Sequence, residues 1–331
     1  MIHDSIPVLH VLAGGVLTTV QDLGRYAARR YGVPQSGALD NVAAVAANRL
    51  LDNPSSAATL EMTAGGADFE VLAPTLLALT GADLGAALDD EPLPLWMAVF
   101  ARAGARLRLT GRRAGWGARA YLAVAGGFDV PPVLGSCSTY LPGGFGGLHG
   151  RALRAGDLLH APSGAIDAVR LAGRSWPPHA RPAYAAQPVL RVLPGPHVER
   201  FAADALDQLV AAPLQVSASS NRMGYRLEGP SMRYAVPWSL PSLGVLPGVV
   251  QVPPDGSPIL LMADAQTTGG YPIVGVVIGP DLPLAAQLLP GDRLRFAWTT
   301  PSAALAARHE MQRWRGAVPD DDLYPLAWAG A

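Results

Sequence analysis

Residues 258–280 read PILLMADAQTTGGYPIVGVVIGP: two short apolar runs, 259–262 and 273–278, on either side of a polar turn holding two threonines, two glycines, a tyrosine and a proline. Each run is too short for a helix, and the second is rich in β-branched residues, so both read as strands buried on two faces. The pattern recurs at 8–12, 75–80, 106–109, 120–124, 190–193 and 293–297. With 37 glycines and 31 prolines spread along the chain, turns are frequent and long helices are disfavoured. A mainly β fold is therefore expected, built of barrels or sandwiches.

Three segments have helical spacing instead. In 39–54, LDNVAAVAANRLLDNP, Asp40 is placed as an N-cap, Val42, Val45, Ala46 and Leu50 recur on one face, and Asn53-Pro54 ends the run. Residues 196–213 repeat Val198, Phe201, Leu206 and Leu209, and 300–315 form a third amphipathic stretch. At 331 residues the chain has room for two domains of roughly 150 residues each. The Pro/Ala-rich segment 176–188, WPPHARPAYAAQP, is the natural division, giving an N-terminal half 1–178 and a C-terminal half 179–331. Each half also ends on a related segment, LRAGDLLH at 153–160 and LLPGDRLRF at 288–296.

Composition excludes several chemistries. All 25 basic residues are arginine; with no lysine the chain can form no Schiff base, complete no Walker A loop and carry no lysine-linked biotin of its own. A net charge of -1 with 15% charged residues argues against a nucleic-acid partner. The single cysteine, Cys137, precludes an internal disulfide and reads as packing. Seven histidines form no HExxH pair, no G-x-S-x-G elbow is present, and no metal site is expected. The glycine-rich run 140–151 lacks the spacing of a phosphate cradle and reads as a turn or lid. Without a leader-like N-terminus or an apolar stretch of 18 residues, the expectation is a cytoplasmic protein without a membrane partner.

Two polar clusters remain. The first, 14–40, crowds Gln21, Asp22, Arg25 and Ser36 among glycines, and an Asp-x-x-Arg spacing is one that can aim a guanidinium at a carboxylate. Asn48 and Glu61 follow it on a helix and a strand. The second joins 217–230 to 241–272 and contains Ser219, Asn221, Arg222, Gln251, Asp264, Gln266, Thr267, Thr268 and Tyr271. Its mixture of neutral donors and acceptors with few charges suits an amide, lactam or ureido group better than a phosphate.

The ordered blocks TTVQDLGR, GVPQSGALD, LTGAD, RAYLAVAGG, LGSCST, SNRMGYRL, QVPPDGSPI and DAQTTGGYP resemble the biotin-dependent carboxyltransferase family. That family includes the C subunit of 5-oxoprolinase, Kip antagonist proteins, allophanate hydrolase subunit 2 and a segment of urea carboxylase, and the resemblance runs from about residue 12 to 300. It implies tandem cyclophilin-like β-barrel units and two partners, the Kip inhibitor-like B subunit and the A subunit of 5-oxoprolinase. The complex would use ATP, handled at least partly outside this chain, to open the 5-oxoproline lactam to glutamate. An alternative implied by the same family is transfer of CO2 from carboxybiotin, on a separate carrier, to urea or a related amide. A third is a non-catalytic antagonist that binds the inhibitor-like partner. Leu243, Cys137 and Ser257 stand where family members often have an acid, an arginine and a glutamine.

Combining residue chemistry with the resemblance gives expected roles. Asp264 is the acid/base or water-orienting group; Gln266, Thr267 and Thr268 bind the amide; Tyr271 is a donor or wall. Arg25 or Arg222 takes the substrate carboxylate, and Gln21, Asp22, Ser36, Asn48, Ser219, Asn221 and Gln251 complete the binding set.

Overall fold

The computed structural model describes residues 5–164, 167–236 and 239–316. The described residues form two compact units, one drawn from 5–24, 40–182 and 314–316, the other from 25–39 and 183–313. The division between the larger segments thus falls at 182/183 rather than 178/179, and segment 25–39 groups with the C-terminal unit.

In the first unit the strands are β1 (Ser5–Gly14), β2 (Leu17–Gln21), β3 (Thr59–Thr63), β4 (Ala67–Val71), β5 (Thr75–Gly81), β6 (Ala86–Leu88), β7 (Glu91–Pro92), β8 (Ala98–Ala101), β9 (Arg106–Leu109), β10 (Arg119–Val124) and β11 (Leu158–Pro162). They make two sheets, β11-β1-β4-β9-β6-β7 and β2-β3-β10-β5-β8. One core is shared between them: Leu9, Val11, Phe69 and Leu107 come from the first sheet, and Val20, Leu60, Met62, Leu79 and Leu122 from the second. β5 and β10 are buried along their whole length because helix α1 (Asn41–Leu50) covers their other face. The Asp40 carboxylate caps that helix by accepting from the Ala43 N–H at 3.0 Å, as its position in the sequence predicts.

After the short helix α2 (Ala168–Leu171), the second unit contains β12 (Val189–Pro194), α3 (Ala203–Ala211), β13 (Leu214–Val216), β14 (Gly224–Glu228), β15 (Leu243–Gly244), β16 (Val249–Gln251), β17 (Ile259–Leu261), β18 (Thr268–Gly269), β19 (Ile273–Val277), α4 (Leu282–Ala286), β20 (Arg293–Trp298) and all but the last turn of α5 (Pro301–Gly316). Seven of its strands close a barrel in the order β12-β19-β16-β17-β14-β13-β20. A closed barrel thus appears in the C-terminal unit, whereas the N-terminal unit buries its core between two sheets.

The expected helix over 196–213 is broken. A single 3-10 turn at Val198–Arg200 is followed by extended backbone at Phe201, and α3 starts only at Ala203. Phe201 makes an antiparallel bridge to Tyr234 and stacks on its ring with centroids 4.9 Å apart. Tertiary pairing therefore overrides local helical spacing.

The two apolar runs flanking the turn at 263–272 become β17 and β19, and they are not paired with each other. β16 lies between them, pairing with both. Leu260 of β17 points into the barrel core with Tyr225 and Val250. Its neighbours Ile259 and Leu261 point outward by the period-2 alternation of a strand, into a separate apolar cluster with Val245, Val249, Ala265 and Ile273. Above this outer cluster the turn forms a ribbon of its own, β18 pairing with β15.

The sequence echo between the two halves has a geometric counterpart. Gly156 and Gly291 both adopt φ of +91°. Asp157 then accepts from the Arg154 N–H at 2.9 Å, and Asp292 from the Leu289 N–H at 2.8 Å. In each case the glycine N–H bonds a strand of its own unit, at Val11 O (2.9 Å) or Val216 O (2.8 Å), and a strand follows. Only glycine reaches that φ without strain. No helix among the described residues is long and apolar enough to cross a membrane.

Candidate functional site

The second unit carries a pocket of about 250 Å³ on the outer face of its barrel wall. Gly224 and Arg226 of β14, Ile259 and Leu261 of β17, and Gln251 of β16 form its floor; Ser219, Asn221 and Met223 form one rim, Gln266 and Tyr271 the other. The register explains the floor. Arg226 lies opposite Ile259, and Ile259 opposite Gln251, so the three project from the same face of adjacent strands.

Gln251 is the pocket's buried amide, 1% exposed. Its Nε2 donates to the Tyr271 carbonyl at 3.3 Å, and its Oε1 accepts from Gln266 Nε2 at 3.5 Å. Both contacts are long, so a ligand amide can displace either. Gly269 crosses directly above: a Cβ there would sit 2.7 Å from Gln251 Nε2, so a side chain at this position would push the amide from its present place. Asn221 uses its Oδ1 to accept from the Met223 N–H at 2.8 Å, which orients the side chain at the rim. Ser219 Oγ lies 3.3 Å from Ser217 Oγ.

Among the described residues Arg226 is the sole charged side chain lining the pocket, and no carboxylate, histidine or cysteine lines it. Sequence reasoning passed over this residue. The signal was present in Gly224–Glu228, where Tyr225 and Leu227 alternate inward and Arg226 therefore faces out.

Among the residues singled out from sequence, Ser219, Asn221, Gln251, Gln266 and Tyr271 meet in this pocket. Arg222 and Asp264 do not line it. Arg222 Nε and Nη2 donate to the two Asp264 oxygens at 3.0 and 3.2 Å, and Nη2 also donates to the Gly37 carbonyl at 2.7 Å. Both side chains are buried, 5% and 2% exposed, so the pair locks the 217–223 loop to the 263–265 turn. The groups expected to serve as acid/base, Asp264, and as carboxylate binder, Arg222, are thus placed against each other, away from the pocket lining.

Thr267 and Thr268 also stand outside the pocket lining. The Thr267 carbonyl accepts from the Val245 N–H at 2.9 Å, and Thr268 is an exposed ribbon residue opposite Gly244. Their contribution is to the ribbon's backbone.

Segment 25–39 contributes buried groups to the second unit. The Ser36 N–H donates to the Ala263 carbonyl at 2.9 Å with Ser36 at φ +55°, while the Arg25 N–H donates to Gln35 O at 2.8 Å and the Arg25 side chain is buried. Neither Ser36 nor Arg25 lines the pocket.

Gln21, Asp22 and Asn48 belong to the first unit and serve its framework. Asp22 accepts from Ser136 Oγ (2.6 Å), the Cys137 N–H (2.7 Å), the Gly24 N–H (2.8 Å) and Ser138 Oγ (2.5 Å). Gln21 Nε2 donates to Thr19 Oγ1 and to the Thr139 carbonyl, at 3.0 and 3.2 Å. Asn48 ties the end of α1 to the following turn by donating to the Ala57 carbonyl at 2.8 Å and accepting from Asn53 Nδ2 at 3.1 Å. Asp22 and Asn48, expected in the binding set, are thus placed among framework contacts, since turn-rich, glycine-flanked polar residues satisfy local backbone as readily as a ligand.

Glu61 is buried, not solvent-facing. It accepts from the Tyr121 hydroxyl at 2.8 Å, and that oxygen accepts from the Asp40 N–H at 2.8 Å. Burial first, then the Glu61 and Asp40 charges, push the Tyr121 hydroxyl well above the ordinary tyrosine range, so it stays a donor.

Comparison with known proteins matches residues 31–298 to the family described as carboxyltransferase domain, subdomain A and B. The chain is 42% identical over 310 residues to the C subunit of 5-oxoprolinase from Escherichia coli (strain K12), covering 93% of this chain and 96% of that protein. It is 37% identical over 278 residues to the corresponding 5-oxoprolinase chain of Haemophilus influenzae, covering 84% and 87% respectively. The crystal structure of the Kluyveromyces lactis urea carboxylase superposes with a TM-score of 0.84 at 28% identity, over 97% of this chain and 30% of that one. With the family match spanning most of the sequence, the chain belongs to the carboxyltransferase domain family.

Proposed function

We propose that this chain is the C subunit of an ATP-dependent 5-oxoprolinase, acting with the A and B subunits of that enzyme to open the 5-oxoproline lactam to glutamate. The observation that carries the reading is the neutral amide set of the pocket, Gln251, Gln266 and Asn221, around a space of about 250 Å³. A lactam presents one N–H donor and one carbonyl acceptor, and a carboxamide side chain offers the complement of both. The volume lies below the roughly 300–1,000 Å³ usual for drug-sized ligands, in keeping with a small metabolite. Identity to the two bacterial chains over nearly their full lengths supports the same reading.

The pocket's composition also supports a division of labour. Without a carboxylate, histidine or cysteine in its lining, it binds and orients, and the activation of the carbonyl and of water falls to the partner subunits. ATP is likewise assigned to them. The test is ATP-dependent formation of glutamate from 5-oxoproline by the A and B subunits with and without this chain. Turnover is expected only with it; equal rates in its absence would refute the assignment.

A second reading, carboxyl transfer from biotin on a separate carrier to urea or a related amide, is supported by the family match and by the likeness to urea carboxylase. The same three carboxamides fit a ureido group, which also carries N–H donors and a carbonyl. Carboxylation of urea in the presence of a biotinylated carrier and its carboxylase, dependent on this chain, would favour it.

A further inference from the structure

The pocket's lining is neutral in every member but one. Arg226 stands on the floor beside Ile259 and within the same cavity as the amides of Gln251 and Gln266. Other arginines of the barrel unit are visibly engaged: Arg222 with Asp264, Arg191 with Asp281 and Arg295 with the Ala211 carbonyl. Among the described residues the Arg226 guanidinium has no such hydrogen-bond or ion-pair partner. Its backbone, by contrast, is fixed: the Arg226 N–H donates to Ser220 Oγ at 3.0 Å, and the strand pairs with β17. The side chain therefore projects from a rigid base into a cavity lined, among the described residues, by no counter-charge.

A guanidinium offers a planar fork of donors that matches a carboxylate, and no acid in the lining competes for it. An uncharged amide such as urea would leave that fork unused. We infer that the pocket takes a small amide bearing one carboxylate, and that Arg226 is the residue that selects the carboxylate over an uncharged amide. This rests on the reading of the pocket as the substrate site, and it reassigns to Arg226 the role that sequence alone gave to Arg25 or Arg222.

The test is direct binding, measured by calorimetry or ligand-observed NMR on the full chain, alone and with its partner subunits. The ligands are 5-oxoproline, its uncharged carboxamide 5-oxoprolinamide, urea and the cyclic urea imidazolidin-2-one. The wild type is expected to prefer 5-oxoproline over 5-oxoprolinamide, and Arg226→Gln to weaken 5-oxoproline binding by roughly 10- to 100-fold while leaving the carboxamide nearly unchanged. Arg226→Lys, which keeps the charge and loses the fork, should fall between them. Position 226 is exposed, so circular dichroism and the unfolding midpoint should be unchanged in both variants.

The inference is overturned if the wild type binds acid and carboxamide equally, if it binds none of the ligands in either state, if urea or imidazolidin-2-one binds best, or if Arg226→Gln keeps the wild-type preference. ATP-dependent turnover is read separately. Charge selection without turnover would leave Arg226's role standing and remove the 5-oxoprolinase reading; turnover with an indifferent Arg226→Gln would do the reverse.

Discussion

The polar clusters around Asp22 and Tyr121 in the first unit and the pocket of the second treat their donors and acceptors in opposite ways. In the first, Asp22 receives four donors, and Tyr121 is held between Glu61 and the Asp40 N–H, all at distances of 2.8 Å or less. In the second, Gln251 and Gln266 meet at 3.5 Å, and Arg226 faces a cavity without a counter-ion. A network closed on itself has little left to offer a ligand; one with long contacts and spare donors can exchange them at small cost. Density of polar residues in sequence is the same signal in both cases. Satisfaction in three dimensions separates scaffold from site.

The contrast can be broken at its strongest point. Asp22→Ala removes the acceptor of four donors, two of them hydroxyls in a buried loop, and should lower stability by on the order of 3 kcal/mol. Chemical denaturation reads this directly. A loss under about 0.5 kcal/mol would mean that the cluster is not the framework its geometry suggests.

Gln251→Leu probes the open side. Its contacts are few and long, and leucine is of similar size, so stability should change by no more than about 1 kcal/mol. Binding of 5-oxoproline, measured by calorimetry, should nevertheless fall below detection. A variant that is strongly destabilised yet still binds would invert the comparison.

The smallest effect is expected at the two related Gly-Asp turns. Asp157 also meets Arg151 in a two-pronged pair, with both N···O distances 2.7 Å, and that hydrogen bond holds its carboxyl below the ordinary aspartate range despite the opposing effect of burial. A carboxyl depressed in the folded state contributes stability at pH values above its unfolded pKa of about 4 and loses it as the pH falls through the lower folded value. Arg151→Met should therefore reduce stability at neutral pH by at most about 1 kcal/mol. It should also flatten the loss of stability below about pH 4, measured as the unfolding midpoint against pH. An unaltered acid limb would show that the backbone bond from Arg154 alone sustains the turn.

Much of the strand framework was legible because short apolar runs bounded by turn residues have few other ways to bury themselves. Runs 106–109 and 75–80, for example, became Arg106–Leu109 and Thr75–Gly81. The helix over 196–213 was misread because Phe201 is recruited by Tyr234, a distant partner that no local periodicity reveals. Gln251, Gln266, Asn221, Ser219 and Tyr271, singled out by residue type, line one pocket. Asp264, Arg222, Thr267 and Thr268 were adjacent in sequence but turned elsewhere, the first two into their own ion pair and the threonines into the ribbon pairing with β15 and Val245.

Sequence by itself determined which lysine and disulfide chemistries are absent and the kind of chain this is: no lysine, one cysteine, and apolar runs short enough to demand strands. Those properties depend on composition and local spacing alone. Tertiary structure decided which polar groups are spent. Closing seven strands into a barrel set Arg226, Ile259 and Gln251 side by side on an outer wall, and it buried Asp264 against Arg222. Whether a donor is free to bind depends on what lies within about 3 Å of it, and in this chain those neighbours come from strands far apart in sequence.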